Sequence, residues 1–427
     1  MRDKVVIVGA GCFGISAAYH LLKRGYPDVT VIDRSKVLPA PDAASTDLNK
    51  VVRTSYPDEF YTKLARAARE SWKDTDRWGR AYHESGVLVT GSGNAPDVAD
   101  SYQNDLAAGA RLIETKDPRS IRSTFPPDVP IGALDGFFGF LNQDGGWVAA
   151  AQAVASMTVE VEELGGKIVT GKLVTQLVKK DSRVSGVRCA DGTSIEAGLV
   201  ILACGSWTAS SFPELDLGER CFSTAQSLGF FQLTPEEGDR YRRCPVVIDE
   251  ADSRFCFFPP TDHNVVKVQL HGAAYSRYVS GLPGASQPIS TPRTVTSHGE
   301  NGLRIPVDAA KLLRERLRMV YPELADKPFT STRVCWYTDS PDSDWVVGRH
   351  PSYPGLALAT AGSGHAFKFL PVIGSLVADA VEGKLDPQVA DKFAVNREFA
   401  RTGGSHGGAA LQDIENVAFC TPEDLLP

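Results

Sequence analysis

Three glycines near the amino terminus have the spacing of a dinucleotide-binding loop. Gly9, Gly11 and Gly14 form the pattern G-x-G-x-x-G, and Asp33 follows farther along the chain. Such glycines allow a tight turn, a close approach of pyrophosphate to the backbone, and close packing of the next helix. Asp33 would accept hydrogen bonds from ribose hydroxyls and would repel the additional phosphate of NADP. The pattern alone leaves both NAD and FAD open.

Cys335 is a second residue of chemical interest, because no other cysteine stands at a spacing that suggests a disulfide or a metal site. The chain has eight cysteines, at positions 12, 189, 204, 221, 244, 256, 335 and 420. We therefore predict neither a disulfide framework nor a metal centre, and a reducing, cytoplasmic compartment. A lone cysteine is most often an ordinary buried side chain, so these residues alone leave the role of Cys335 undecided.

The elements that must position the glycine loop form a β-α-β pattern. Val5 to Val8 are continuously β-branched, which predicts a strand buried on both faces. Apolar residues then recur at helical period from Ile15 to Lys23, and Gly25 ends the helix. Residues 29–32 predict a second strand that ends at Asp33.

The middle of the chain predicts more elements of the same kind. Residues 59–80 predict one helix, residues 85–92 a strand and residues 150–163 another helix. The apolar face of the first of these helices would contain Phe60, Leu64, Ala67 and Trp72. Residues 165–203 predict strands with turns at residues 181–182 and 191–192. The last of these strands runs into a small-residue turn suited to a dinucleotide, which contains Cys204, Gly205 and Trp207.

The remaining pattern predicts two domains. Residues 221–325 indicate antiparallel strands with one face exposed to water, and residues 354–383 return to a strand, a glycine-rich turn and a helix that starts near Phe367. The predicted fold class is α/β, with a Rossmann-type domain in three segments and an inserted antiparallel α+β substrate domain. The predicted boundaries are 1–84, 148–220 and 326–390 for the nucleotide domain, 85–147 and 221–325 for the substrate domain, and 391–427 for a C-terminal extension that is extended from Thr402 on.

Composition and charge exclude several classes of protein. The 427 residues carry a formal charge of −7, which argues against a nucleic-acid partner. No run reaches the ~18 uninterrupted apolar residues that a membrane span requires, and the carboxyl-terminal PEDLLP is not a peroxisomal signal. We predict a cytoplasmic monomer or weak dimer.

Several motifs in combination make the chain similar to a known family. They are DLNKVVR at 47–53, Lys267, CWYT at 335–338 and GSGHAFK at 362–368. With the glycine loop and Asp33, they resemble the FAD-dependent secondary-amine oxidases, which include monomeric sarcosine oxidase, pipecolate and saccharopine oxidases, and the fructosyl amino acid oxidases or amadoriases. The resemblance runs from Val5 to about Gly383. It implies FAD as the cofactor and a fold like those of glutathione reductase and D-amino acid oxidase.

The resemblance implies roles for individual residues. Cys335 corresponds to the cysteine that carries FAD through a thioether to its 8α-methyl group, and Tyr337 would line the substrate cavity. Lys368 and Arg53 would bind the substrate carboxylate. Lys267 would stand above the flavin, where its charge promotes electron transfer to O2.

Further positions are implied for catalysis and for cofactor binding. His271 matches a histidine of the sarcosine-oxidase branch, and Lys50 with Arg53 would bind a carboxylate or tune the flavin. The helix starting near Phe367 would point its positive end at the flavin N1–O2 locus. The implied FAD-binding residues are Gly9, Gly11, Cys12, Phe13, Gly14, Asp33, Arg34, Ser45, Lys50, Cys204, Gly205, Trp207, Cys335, Gly362, Gly364, His365, Phe367 and Lys368.

The implied reaction is oxidation of a secondary amine that carries a carboxylate, with hydride transfer to flavin N5, imine formation and reduction of O2 to H2O2. The signals for the substrate disagree. DLNK resembles the amadoriases and saccharopine oxidases, whereas residues 268–271 lack the acids that amadoriases carry there. The alternatives are an amadoriase, a tailoring oxidase whose imine is trapped by cyclisation, a flavin dehydrogenase with another acceptor, an NAD-dependent dehydrogenase, and a scaffold protein without activity.

Overall fold

A six-stranded sheet, here called the nucleotide sheet, carries the glycine loop at the end of a central strand. The computed structural model that shows it describes residues 4–250, 255–272, 275–399 and 411–427, so residues 402–410 of the predicted extended tail lie outside the described residues. In spatial order the strands are Val346–Arg349, Leu356–Thr360, Leu199–Leu202, Val5–Val8, Val29–Ile32 and Lys167–Val169.

The burial of its strands explains the order of the nucleotide sheet. Val5–Val8, Val29–Ile32 and Leu199–Leu202 are buried along their whole length, as interior parallel strands must be. Neighbours from Leu356–Thr360 to Lys167–Val169 run parallel, whereas Val346–Arg349 is antiparallel to its neighbour. Distant segments of the chain therefore meet in one α/β layer, which confirms the predicted fold class.

Helices cover one face of the nucleotide sheet, and a small sheet covers the other. A Cβ on Gly374 would lie 2.0 Å from the carbonyl oxygen of Ser16, so the helices that carry these residues pack backbone to backbone. The helices on this face are Cys12–Lys23, Ala150–Glu163 and Ile373–Glu382. The antiparallel strands on the other face are Val174–Lys180, Arg183–Cys189 and Ser194–Glu196.

A second, larger sheet supports the far side of the site. Its main path in spatial order is Gln412–Asp413, Tyr275–Ser276, Phe222–Gln232, Val265–Leu270, Phe255–Phe257, Val246–Asp249, Val87–Ser92, Phe137–Asn142 and Leu112–Thr115. Ser331–Asp339 pairs with Phe222–Gln232 beside this path. The helix Val307–Val320 packs on one face of the large sheet.

The prediction that these strands expose one face to water is wrong. Lys267 and Gln269 are 0% and 5% exposed, although both lie on the face away from the helix. The Lys267 amine donates to Asp47 and to the carbonyl of Asn49. Because a distant loop covers this face and neutralises its charge, polar residues here are buried.

The domain boundaries stay a prediction, but one pairing bears on them. Residues 326–390 were assigned to the nucleotide domain, yet Ser331–Asp339 hydrogen-bonds along Phe222–Gln232 in the large sheet. The strand that carries Cys335 therefore belongs to the large sheet and reaches the nucleotide domain at its end.

Two predicted helices have different bounds in the structure. Residues 59–80 form Glu59–Trp72 and Thr75–Trp78, because Asp74 accepts hydrogen bonds from the next backbone N–H groups and caps a new helix. The buried face of the first helix does not include Ala67, which is exposed. The helix predicted to start near Phe367 also begins later: a single 3-10 turn precedes Pro371, and the α-helix is Ile373–Glu382.

The other predicted elements are present within a few residues of their expected bounds. Asp181 and Ser182 both have positive φ, 49° and 67°, as a tight hairpin turn of this hand needs. The remaining helices are Pro96–Ala107, Pro118–Arg122, Thr208–Ser211, Pro235–Tyr241, Val295–His298, Pro322–Ala325 and Pro387–Phe393, with 3-10 turns at Gly205–Trp207, Pro213–Leu215, Gly299–Leu303, Phe367–Phe369, Ile414–Asn416 and Glu423–Leu425. The remaining strands are Lys50–Val52, Tyr82–His83, Gly146–Val148, Tyr278–Val279 and Ile289–Ser290. Across the described ranges, every helix is too short or too polar to cross a bilayer.

Asp105 anchors the loop that follows Arg53, and its loss is expected to destabilise the fold. The fully buried carboxylate accepts hydrogen bonds from Thr54 Oγ1, Ser55 Oγ and Asn142 Nδ2 at 2.6, 2.5 and 2.7 Å. Asp105→Ala leaves three buried donors without this acceptor, so we expect a loss of about 3 kcal/mol in the free energy of unfolding, measured in urea. Asp100→Ala, on the exposed side of the same helix, should change it by less than about 0.5 kcal/mol.

Candidate active site

A cleft of about 1230 Å³, counting its open mouth, lies against the nucleotide sheet where the glycine loop leaves it. Its lining runs from the glycine loop past Asp33 to Trp207 and to Tyr337, which is the extended shape that a dinucleotide needs. The predicted site residues that line it are Gly9, Gly11, Cys12, Phe13, Asp33, Arg34, Ser45, Lys50, Cys204, Gly205, Trp207, Tyr337, Gly362, Gly364 and Phe367.

The glycine loop provides the space and the donors that a pyrophosphate needs. Gly9 has a φ of 106°, and a Cβ there would lie 2.3 Å from the carbonyl oxygen of Ala203. A Cβ on Gly14 would lie 1.9 Å from the carbonyl oxygen of Gly9. Gly11 precedes the helix Cys12–Lys23 and has no side chain to cap it, so the first N–H groups stay available to an anion. The loop fits the dinucleotide phosphates.

Asp33 stands where a ribose would bind. One carboxylate oxygen accepts from the Ala10 N–H at 2.9 Å and the other from the Ser35 N–H at 2.8 Å. A carboxylate has about four lone-pair sites, so both oxygens can still accept ribose hydroxyls. Beside it, the Arg34 guanidinium lies 3.8 Å from the centre of the Trp207 ring, which forms a flat wall of the cleft.

Gly364 and Tyr337 line another part of the cleft, and His271 packs against both. Gly364 has a φ of 71°, and a Cβ there would lie 2.6 Å from His271 Cε1 and 2.7 Å from Tyr337 Cε2. The Tyr337 hydroxyl accepts a hydrogen bond from Gln269 Nε2 at 3.3 Å and lies 3.4 Å from His271 Nδ1. Burial raises the pKa of Tyr337, so its hydroxyl stays protonated. Only a glycine at residue 364 allows His271 and Tyr337 to pack this closely against the backbone.

Lys50 and Lys267 share the carboxylate of Asp47. The two amines lie 2.7 and 2.9 Å from the same oxygen, Oδ2. Burial lowers the pKa of Lys267 to about 8 although Asp47 opposes the shift. Burial lowers the pKa of Lys50 too, but the nearby Asp47, Cys335 and Tyr337 together outweigh burial and hold this pKa above its ordinary value. Lys50 lines the cleft, whereas Lys267 lies behind it.

Cys335 lies beneath the cleft wall. It is 1% exposed and packs with Leu228, Tyr337 and Ala44, while its strand neighbours Val334 and Trp336 join the core under the large sheet. Ala44 and Tyr337 both line the cleft. The structure therefore brings Cys335 to within one residue of the cleft, although the thiol itself is not part of the lining.

Lys368 and Arg53 form a second group of basic side chains. Lys368 is 3% exposed and donates to Tyr56 Oη at 2.6 Å and to the His365 carbonyl at 2.8 Å. No Asp or Glu in the described ranges forms an ion pair with it, and burial holds the pKa of Lys368 well below its ordinary value. Close by, Arg53 pairs with Glu250 at 2.9 Å.

His365 belongs to an aromatic cluster rather than to the cleft wall. Its ring stacks on Trp345 and meets Tyr61 edge to face, with centroids 5.5 and 4.8 Å apart. Burial and the nearby Lys368 lower the pKa of His365 to about 3, so this ring is neutral. The predicted residues that do not line the cleft are Gly14, Arg53, Lys267, His271, Cys335, His365 and Lys368.

Sequence reasoning missed three residues of the site. Asp47 was visible as the first letter of DLNKVVR, but its position between two lysines depends on a strand 220 residues away. Tyr56 and Glu250 contact Lys368 and Arg53 through side chains from separate loops, and no local pattern marks either one. Among the described residues, no three His, Cys, Asp or Glu side chains are grouped as metal ligands.

Comparison with known proteins gives the family of the chain. Residues 4–380 match the family model DAO, described as FAD dependent oxidoreductase. The chain belongs to this family. It is 29% identical over 412 residues to L-saccharopine oxidase of Schizosaccharomyces pombe, covering 92% of this chain and 93% of that protein. It is 24% identical over 408 residues to monomeric sarcosine oxidase of Bacillus sp. (strain NS-129), covering 92% and 96%.

A solved structure of the same family agrees with this assignment. Fructosyl amine:oxygen oxidoreductase (amadoriase I) of Aspergillus fumigatus matches with a TM-score of 0.84 and 31% identity, covering 98% of this chain and 96% of that one. The predicted resemblance to FAD-dependent amine oxidases is confirmed, and so is the prediction of an FAD-dependent oxidoreductase. The glycine loop, Asp33 and the cleft are features that FAD fits.

Proposed function

We propose that this DAO-family enzyme oxidises secondary amines that carry a carboxylate, uses FAD and passes the electrons to O2. The observation that carries the proposal is Lys368, a buried cation that no described carboxylate neutralises. Burying such a charge costs free energy unless a partner arrives. A substrate carboxylate supplies that partner. Its negative charge raises the pKa of Lys368, which burial lowers, and so favours the protonated amine.

The other residues have roles that follow from where they lie. Bound FAD supplies the acceptor for the hydride on the carbon next to the amine nitrogen, and O2 takes these electrons to give H2O2. Tyr337 and His271 pack beside Gly364. The Arg53 guanidinium, already paired with Glu250, adds a second contact for the carboxylate besides Lys368. Tyr56 holds the Lys368 amine in place.

Cys335 is the residue proposed to attach FAD covalently. Forming a bond between Sγ and the 8α carbon releases the thiol proton and one methyl hydrogen, and the electron pair passes through the cofactor to O2. The Lys50 amine lies close enough for its positive charge to act on Cys335, so a cation stands beside the proposed attachment site. The position of Cys335 beside Ala44 and Tyr337 supports this role.

An amadoriase is the second candidate, because amadoriase I shares the fold over nearly the whole chain. Against it, Val265–Leu270 and His271 supply no acid to hold a sugar-bearing amine. A peroxide-linked screen separates the two: sarcosine, pipecolate, saccharopine and N-methylated aromatic amino acids on one side, fructosyl-lysine on the other. If none of these amines bleaches the flavin anaerobically, the proposed function is contradicted. If an amine bleaches the flavin but no peroxide forms in air, the enzyme uses another electron acceptor.

Lys368→Met is expected to raise KM for the carboxylate substrate about 10–100-fold, with a much smaller change in kcat. The reason is that a charge-assisted hydrogen bond to the carboxylate is worth about 1.5–3 kcal/mol in both ground and transition states. Lys392→Met is the matched control, since Lys392 already pairs with Asp58 and Asp344. An unchanged KM for Lys368→Met, or an equal rise for Lys392→Met, would show that the carboxylate binds elsewhere.

A further inference from the structure

One buried carboxylate lies between two buried amines at the wall of the cleft. Asp47 Oδ2 is 2.7 Å from Lys50 Nζ and 2.9 Å from Lys267 Nζ. The Lys267 amine also donates to the Asn49 carbonyl at 2.5 Å. The side chains of Asp47 and Lys267 are 1% and 0% exposed. Asp47 and Lys267 are thus shielded from bulk solvent, so the charges of the group act strongly on one another.

The two amines use Asp47 differently. Lys267 makes a well-directed hydrogen bond to it, whereas the Lys50 amine touches it without a favourable hydrogen-bond angle and keeps its donors for the cleft. Lys50 is the member of the group that lines the cleft, and Lys267 stands behind it. Two cations and one anion give a net charge of +1 while both lysines are protonated.

The other groups around this trio leave its charge unbalanced. Lys267 also has the Phe258 ring at 4.2 Å, which favours a cation weakly. The titratable or charged groups that face the trio from the surrounding strands are Arg333, Cys335, Tyr337 and Cys256. Burial keeps Tyr337 and Cys256 neutral by raising their pKa values. Among the described residues, Asp47 is thus the carboxylate that both lysines share.

We propose that Asp47 is a positioning residue that holds Lys50 and Lys267 as one positively charged unit beside the cofactor, and that loss of a single proton from this unit slows the reaction of the reduced enzyme with O2. The inference rests on the proposed function, because it needs FAD in the cleft. It assigns Asp47 no contact with substrate. Its effect passes through the lysines.

The direction of the pH effect follows from the charges. The reduced cofactor gives two electrons to O2, and a nearby cation stabilises the negative charge that develops on oxygen in a dry site. Above the Lys267 pKa of about 8 the trio becomes neutral, so the rate with O2 should fall. Without the Asp47 charge both lysines lose their protons more readily, since Asp47 raises the pKa of each, and the fall moves to lower pH.

Asp47→Asn is the direct test, because it removes the charge and keeps the shape. The enzyme is reduced with dithionite in the absence of amine, mixed with O2 in a stopped-flow instrument, and followed from pH 6 to 10. We expect the pH at which the rate falls to decrease by roughly one unit or more. A titration of the oxidised flavin absorbance should show the same displacement, and this spectrum does not depend on turnover.

Two further variants guard the interpretation. Asp144→Asn is a matched control: Asp144 is also a buried carboxylate between two cations, Arg69 and Arg111, but it does not line the cleft, so both pH curves should stay those of the wild type. Asp47→Glu keeps the negative charge, so its two pH curves should match those of the wild type. This variant is used to test the role of the charge if Asp47→Asn loses FAD.

The proposal is overturned if Asp47→Asn leaves both pH curves in place, or if Asp47→Glu shifts them as far as asparagine does. A wild-type enzyme that bleaches with an amine but does not react with O2 would overturn it too, while the amine-oxidation proposal survives. If no amine bleaches the flavin but the dithionite experiment gives the expected shift, the amine-oxidation proposal fails and the inference about Asp47 stands.

Discussion

Replacement of Lys267 by methionine is expected to slow the reaction of the reduced enzyme with O2 by about 10²–10³-fold, the usual loss when one preorganised electrostatic contact is removed. Lys267 is fully buried and held by Asp47 and Asn49, so no other cation can move into its place. Methionine fills a similar volume and leaves Asp47 paired with Lys50 alone. The unit then has no net charge at any pH near neutrality.

The measurement separates the two halves of the reaction. Anaerobic bleaching by an amine substrate should stay within about tenfold of the wild type, since Lys267 lies behind the cleft wall and does not line it. The rate of reoxidation should be low and without the fall near pH 8. An unchanged reoxidation rate would exclude Lys267 from the oxygen step. If only the rate of anaerobic bleaching decreases, Lys267 acts in substrate oxidation instead.

Cys335→Ala is expected to abolish covalent attachment of FAD completely. In the wild type, acid precipitation should leave the yellow colour with the protein, and the mass of the intact polypeptide should include the cofactor. In the variant the supernatant should be yellow and the mass that of the polypeptide alone. Because the glycine loop, Asp33 and the Arg34–Trp207 wall remain, the variant should still bind FAD reversibly.

A buried cysteine elsewhere provides the control for this experiment. Cys244 is fully buried in the core under the large sheet, and Cys244→Ala should keep the colour in the precipitate. If Cys335→Ala also keeps it, the attachment is at another residue. If the wild type releases its flavin in acid, FAD is not covalently bound, although the cleft and the amine chemistry are unaffected.

Local patterns predicted the elements that bind the nucleotide, and for a clear reason. Strands such as Val5–Val8 are buried on both faces whatever their partners, so a run of β-branched residues is sufficient to indicate them. Glycine is needed locally at residue 9 by its φ of 106° and at residue 14 by the contact of a Cβ with the Gly9 carbonyl oxygen, although a Cβ on Gly9 would also meet the distant Ala203. These parts of the site follow from the sequence directly.

The late start of the helix after GSGHAFK was also readable in principle. Pro371 has no N–H to donate to a carbonyl of the preceding turn, which an α-helix through this segment would need, and the α-helix starts at Ile373. The apolar period across FKFLPVIG hides this break. The consequence is chemical: Lys368 stands in a 3-10 turn and reaches Tyr56, and no α-helix terminus stands there.

The burial of Lys267 could not be read from its own strand. A lysine and a glutamine on alternate positions of VVKVQL are typical of a solvated sheet face, and only the return of Asp47 from 220 residues away makes the face dry. The Arg53–Glu250 pair and the Tyr56–Lys368 contact are of the same kind. Such long-range neutralisation of charge carries no signal in spacing or periodicity.

The strand order of the nucleotide sheet constrains how the enzyme is made. Val5–Val8 pairs on one side with Val29–Ile32 and on the other with Leu199–Leu202, which in turn needs Leu356–Thr360. A ribosome must therefore release the chain beyond residue 202 before the first strand has both neighbours, and beyond residue 360 before Leu199–Leu202 has its second one. Unpaired strand edges are exposed until then. Holoenzyme maturation is then a late event, and slow translation at low temperature with ample riboflavin should raise the yield of yellow protein.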